Sequence, residues 1–133
     1  MDCPACGSHR LPVPIDEPYR GYAPGDPSAV WICTHCLDTE PIEAGELAPE
    51  TPDFTRISKG FPEDSEAGTA MVLMVLLIDS IAIYREELSE LVERVERAGV
   101  DPVLVLERLS DDPSIEPRID LERRRHQLVQ LVT

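Results

Sequence analysis

Apolar and polar positions alternate in the first quarter of the chain and shift to helical spacing in the second half. Leu11, Val13 and Ile15 recur at every second residue, and Ala29-Val30-Trp31-Ile32 is a second extended stretch. Both read as short strands. Pro12 and Pro14 lack an N–H for a sheet ladder, so the first strand is predicted at an edge. The loop at residues 16–28, rich in Pro and Gly, is expected on the surface, with Tyr19 and Tyr22 packed within it. From Asp64 or Ser65 the pattern turns helical, and one helix is predicted as far as Ala98, where Gly99 supplies the stop.

That helix has two unlike halves. Ala70 to Ile78 is apolar all round, whereas Ile81, Tyr84, Leu88, Leu91, Val92 and Val95 make a single stripe. Glu90–Arg94 and Glu93–Arg97 are spaced as i,i+4 pairs for its solvent face. Asp101-Pro102 opens a short helix through Val103, Leu104, Leu106 and Leu109, which Asp111-Asp112-Pro113 closes. A last helix is predicted from Pro117, with Leu121, Leu128, Leu131 and Val132 on its apolar face. These few helices cannot bury residues 70–78 by themselves. Either the N-terminal region packs on them or a second copy does, as a homodimer through residues 70–84.

Four cysteines change the picture for the N-terminal region. Cys3 and Cys6 form one Cys-x-x-Cys hook, and Cys33 and Cys36 form another. Each hook turns two thiolates inward on a tight knuckle, and two knuckles give the tetrahedral sulfur set that one structural Zn²⁺ prefers. The predicted metal ligands are therefore Cys3, Cys6, Cys33 and Cys36. Gly7 follows the first knuckle, where the chain needs a positive φ. His9 and His35 flank the hooks, but with four cysteines at good spacing they are read as solvent-facing or supporting imidazoles. Trp31 shares a strand face with Cys33 and is expected to cover the site.

The fold class that follows is α+β: a small N-terminal zinc ribbon of short antiparallel strands and two knuckles, then an α-helical hairpin or three-helix bundle. The ribbon is assigned to residues 1–45, a Pro/Glu-rich linker to 46–62 and the helical module to 63–133. Phe54, Ile57 and Phe61 are exceptions within the linker, spaced so that one short helical turn pins it to the core. At 133 residues and 42% hydrophobic content the chain can form one compact domain or two very small ones.

Charge narrows the function. There are 26 acidic residues against 12 basic ones, a formal −14, and Lys59 is the only lysine. Such a surface repels phosphate and disfavours nucleic acid as a partner. It suits molar intracellular salt, where a Debye length of about 3 Å screens self-repulsion. No apolar run reaches the roughly 18–20 residues of a membrane span, and Met1-Asp2-Cys3-Pro4 lacks the basic and apolar regions of a secretory signal. A cytoplasmic protein is expected. A closed four-thiolate site leaves no open position for catalysis, and no phosphate loop, nucleophile elbow or His-Glu-x-x-His helix is present, so no enzyme is predicted.

Two features are left. Asp79 interrupts the apolar stretch and is read as a carboxylate that meets water at a helix edge or hydrogen-bonds across the ribbon interface, ahead of a functional role. The basic cluster Arg118, Arg123, Arg124, Arg125 and His126 is expected to pair with Glu86, Glu87, Glu90 and Glu93 on the long helix.

Cys3-Pro4-Ala5-Cys6-Gly7, the hook at residues 31–36, and the stretches at 67–80, 102–108 and 120–128 resemble the uncharacterised haloarchaeal small zinc-ribbon proteins of the Cys-Pro-x-Cys-Gly type. The resemblance covers most of the chain. It implies zinc, a haloarchaeal cytosol, no known reaction and a regulatory role through partner contacts. The resulting expectation is a non-enzymatic adaptor or regulator that contacts an as yet unknown protein. A nucleic-acid role in transcription or translation, through the ribbon loop and Arg123 to Arg125, is the alternative.

Overall fold

The computed structural model describes residues 2–42 and 52–132. Three antiparallel strands, β1 (Arg10–Pro14), β2 (Ala29–Cys33) and β3 (Thr39–Ile42), form a sheet in the order β1-β2-β3. Four longer helices follow: α2 (Ser65–Ile78), α3 (Arg85–Arg97), α4 (Pro102–Asp111) and α5 (Leu121–Val132). A single-turn helix α1 (Glu17–Arg20) sits between β1 and β2, and a 3₁₀ turn (Phe54–Arg56) precedes α2. The fold is α+β. The proline-bearing β1 is an edge strand, as its missing N–H groups require. The third strand, around Pro41, lies within the region assigned to the ribbon but was not among the strands read from the sequence.

One face of the sheet carries Leu11, Val13, Ile15, Val30 and Ile32 into the same apolar core as the helices. That contact buries the all-apolar α2. Ala70, Met71, Val72, Leu73, Met74, Val75, Leu77 and Ile78 are all buried within a single chain, and only Leu76 in this run is half-exposed. The predicted cover from the N-terminal region is thus present, with β1 and β3 on one side of α2 and α3 on another. Residues 79–84 stay at the surface, where Ile83 is 74% exposed.

The single long helix is corrected to two. α2 ends at Ile78 with Asp79 as its C-cap, and the chain turns through residues 79–84 before α3. The Ser80 carbonyl accepts from the Ile83 and Tyr84 N–H groups at 2.9 and 3.2 Å. A straight helix would carry the apolar half of α2 and the stripe of α3 to different places. Folding back lets Leu88, Leu91, Val92 and Val95 pack on α2, at the cost of a few intrahelical hydrogen bonds.

Helix ends follow their capping residues. The Asp64 carboxylate accepts from Ala67 N–H at 2.9 Å, and Asp101 accepts from Val103 and Leu104 at 3.0 and 3.2 Å. Gly99, at φ +85°, ends the α3 segment. In α4 the buried residues are Pro102, Val105, Leu106 and Leu109, while Leu104 is exposed. Arg94 is diverted from its expected partner Glu90. Its Nε donates to Tyr22 Oη at 3.0 Å, and its guanidinium lies 4.8 Å from the Tyr19 ring centre. Tyr19 in turn donates to Glu66 at 2.7 Å and is buried, so this part of the loop at 16–28 belongs to the core rather than the surface. Glu93–Arg97 does pair, at 3.8 Å.

Of the predicted linker, residues 46–51 lie outside the described residues. Beyond them, Phe54, Ile57 and Phe61 are buried, Phe54 stacks on Phe61 at 5.7 Å, and the anticipated short turn is the 3₁₀ turn. Ser58 donates to the Asp112 carboxylate at 2.7 Å, tying this segment to the end of α4. Ser114 donates to the same carboxylate through its N–H and hydroxyl, and these bonds hold Asp112 below its ordinary pKa. A depressed carboxylate pKa contributes stability above the unfolded value of about 3.9 and loses it as pH falls through the folded one. The stability difference between the parent and Asp112→Asn is therefore expected to be constant from neutral pH to about 5 and to shrink below about 4. Denaturant titrations at several pH values would check this, and a difference that grows on acidification would refute it.

Candidate metal centre

The hooks stand at one end of the sheet, and backbone hydrogen bonds shape each of them. In the first, Gly7 N–H donates to Cys3 O at 2.8 Å and Cys3 N–H to Ser8 O at 2.7 Å. In the second, Cys33 N–H donates to Asp38 O at 2.9 Å, and the N–H groups of His35 and Cys36 both point at Cys33 Sγ from 3.4 Å. Thr34 joins the hooks by donating its N–H and its hydroxyl to His9 O at 3.0 and 2.9 Å. The residue after each second cysteine has positive φ, Gly7 at +80° and Leu37 at +60°. For leucine that conformation costs about 1–2 kcal/mol. Its side chain is buried in the main core, which offsets the strain.

All four sulfurs lie within 4.8 Å of one another. Cys3 Sγ is 3.7 Å from Cys36 Sγ and Cys6 Sγ is 3.5 Å from Cys33 Sγ, too far for a disulfide bond of about 2.05 Å. Cys3, Cys33 and Cys36 are buried and Cys6 is exposed. The arrangement could hold a metal ion. Without one the buried thiols are poorly served: burial pushes the Cys33 and Cys36 pKa values up, while hydrogen bonds from the Ser8 backbone and hydroxyl bring Cys6 down to about 6. A divalent cation would reverse the penalty on the buried pair by stabilising their thiolates.

The histidines are placed away from the sulfurs. His9 is exposed, and His35 turns its ring outward, with Nδ1 2.9 Å from Ser114 O and Nε2 3.6 Å from Glu116. Trp31 is half-buried on the sheet face it shares with Cys33. Over its ring lies the guanidinium of Arg10, 4.7 Å from the ring centre and bonded to Glu40 at 2.8 Å. Arg10 stands opposite Cys33 in the β1–β2 register, so the stack closes the sheet beside the sulfurs.

The connection between α4 and α5 is the part that sequence reasoning missed. Glu116 N–H donates to His35 O at 2.9 Å, Arg118 N–H to Cys36 O at 3.1 Å, and Arg118 Nη1 pairs with Asp38 at 2.8 Å. Residues 115–120 thus run along the second hook as non-helical chain, and α5 begins at Leu121 and not at Pro117, with the Asp120 carboxylate accepting from Arg123 N–H at 3.1 Å. The only sequence hint was the bracketing of buried Ile115 by Pro113 and Pro117. The basic cluster is likewise redirected. Arg118 pairs with Asp38, Arg124 with Asp79 at 3.3 Å and Arg125 with Glu122 at 3.8 Å, and among the described residues none of them forms an ion pair with the acidic residues of α3. Asp79 is thereby exposed at the end of α2, as the helix-edge reading expected, and its partner comes from α5 and not from the ribbon.

No helix among the described residues is long and apolar enough to cross a membrane. No curated protein and no solved structure matches the chain significantly. A family model does match, over residues 2–132, and the chain belongs to the family of unknown function DUF6276.

Proposed function

We propose that the protein is a non-enzymatic adaptor or regulator whose fold is stapled by one structural Zn²⁺, and that it acts through contacts with another protein. The observation that carries the reading is the approach of four sulfurs to within 4.8 Å on two knuckles. A tetrahedron with Zn–S bonds of about 2.3 Å has edges of about 3.8 Å, close to the 3.5 and 3.7 Å separations present. Cys3, Cys6, Cys33 and Cys36 would hold the ion and fill its coordination, leaving it a structural rather than a catalytic role. An ion there would fasten the second hook, and through it the segment bonded to His35 O and Cys36 O.

The surface supports a protein partner over nucleic acid. Arg118, Arg124 and Arg125 are occupied by carboxylates, and the formal charge of −14 opposes phosphate chains. The apolar run of α2 is consumed internally, so contact would fall to the exposed Ile83 and the nearby turn at 79–84. The same composition suits a halophilic cytosol.

Metal analysis and capture of the tagged chain at native salt, with and without nuclease, test this reading. One Zn²⁺ per chain and a defined protein that co-purifies regardless of nuclease are the expected results, with loss of that protein from Ile83→Asp. Four freely titrating thiols in metal-replete protein, or a catch that vanishes with nuclease, would overturn it.

A further inference from the structure

An open cavity of about 750 Å³ lies away from the cysteines, between the 3₁₀ turn, residues 57–60 and the C-terminal end of α4. Arg56, Lys59 and Arg108 line it, together with Asp111 and Asp112. In a chain with 26 acidic and 12 basic residues, carboxylates are plentiful. None of these three cations forms an ion pair among the described residues, and the same holds for Arg20, Arg85, Arg94 and Arg123, but only here do three such cations line one cavity. Asp112 is engaged by Ser58 and Ser114, and the neighbouring Asp53 caps the 3₁₀ turn through Thr55 N–H.

The wall is held in shape. A Cβ on Gly60 would stand 2.7 Å from Arg108 Cβ and 3.3 Å from its Cδ, so the loop backbone lies directly on the Arg108 stem. Ser58 Oγ accepts from Gly60 N–H at 3.1 Å while donating to Asp112. The loop that presents Lys59 and the helix that presents Arg108 are therefore fastened to each other before any ligand arrives.

We infer that this cavity binds the phosphate group of a small molecule, with Arg56, Lys59 and Arg108 as its ligands. Two guanidinium forks and one ammonium match the charge and the acceptor geometry of a phosphate dianion. Asp111 at the wall offers an acceptor to a hydroxyl or ammonium elsewhere on that molecule. Together with the net charge it also selects against a long polyanion. The inference is independent of the zinc-stapled adaptor reading.

The test is a titration of inorganic phosphate, and separately of glycerol 3-phosphate, into ¹⁵N-labelled full-length metal-loaded protein, with ionic strength held constant by potassium chloride. Saturable shifts confined to residues 55–60 and 108–114 are expected for both. Binding should weaken at least tenfold in Arg56→Gln/Arg108→Gln and remain unchanged in Arg123→Gln. Thermal melting of the double variant guards against misfolding, and exposed Lys59→Gln, expected to weaken binding several-fold, carries the test if the double variant does not fold. Absence of saturation, shifts centred on α5 or the cysteines, equal binding by the variants, or binding of inorganic phosphate alone would each overturn the inference.

Discussion

Stripping the metal with a chelator, or replacing Cys33 by serine, is expected to lower the thermal midpoint by about 15 °C or more and to expose the amides of β1, β2 and β3 to exchange. Cys33 is fully buried, its sulfur accepts two backbone N–H groups, and it lies 3.5 Å from Cys6 Sγ. The proposed Zn²⁺ would hold this hook against the other. Metal binding contributes about 10 kcal/mol or more to small zinc modules. Half of that, at a few degrees per kcal/mol for a chain of this size, gives the expected shift. Protection should also fall at the Glu116 and Arg118 amides, because their acceptors are His35 O and Cys36 O on the second hook. Unchanged melting and unchanged exchange after complete metal removal would show that the core shared by sheet and helices suffices, and that the cysteines are not a structural staple.

The second large effect is placed far from the cysteines, at Phe54. Truncation to alanine is expected to cost about 3–5 kcal/mol, the range for a fully buried aromatic ring. The ring stacks on Phe61 and lies against the backbone of α2 at Gly68, where an added Cβ would come within 2.5 Å of it. Two further consequences follow from that contact. Gly68→Ala alone should destabilise by about 1–3 kcal/mol through overpacking. In the Phe54→Ala background the methyl would enter vacated space, so the double variant should be more stable than the sum of the single effects predicts. Denaturant unfolding of the four proteins measures the coupling. A Phe54→Ala cost below about 1 kcal/mol would return this segment to the status of a solvated linker.

How much of this was legible beforehand differs from element to element. Edge strand β1 was readable from Pro12 and Pro14, because a missing N–H restricts a residue wherever it is placed. The starts of α2 and α4 were readable from Asp64 and Asp101, and the end of α3 from Gly99, since capping and positive φ act over a few residues. The break at residues 79–84 was not, although Asp79-Ser80 hinted at it. Its cause is the non-local gain from laying α3 on α2. Arg94 illustrates the same limit. Its i,i+4 partner Glu90 is worth only about 0.2–0.5 kcal/mol, and two tyrosines from a distant loop displace it.

The sequence by itself determined the α+β class, the two cysteine hooks and their pairing as one candidate metal site, and the need of residues 70–78 for outside cover. Those follow from residue type, spacing and local backbone limits. Tertiary structure alone decided that the cover comes from the chain's own sheet and α3. It also decided that the chain between α4 and α5 is bonded to the second hook, and that Leu37 accepts a left-handed conformation. Each of these depends on which distant groups meet, and a hydrogen bond or buried side chain from across the chain outweighs a local preference of about 1 kcal/mol.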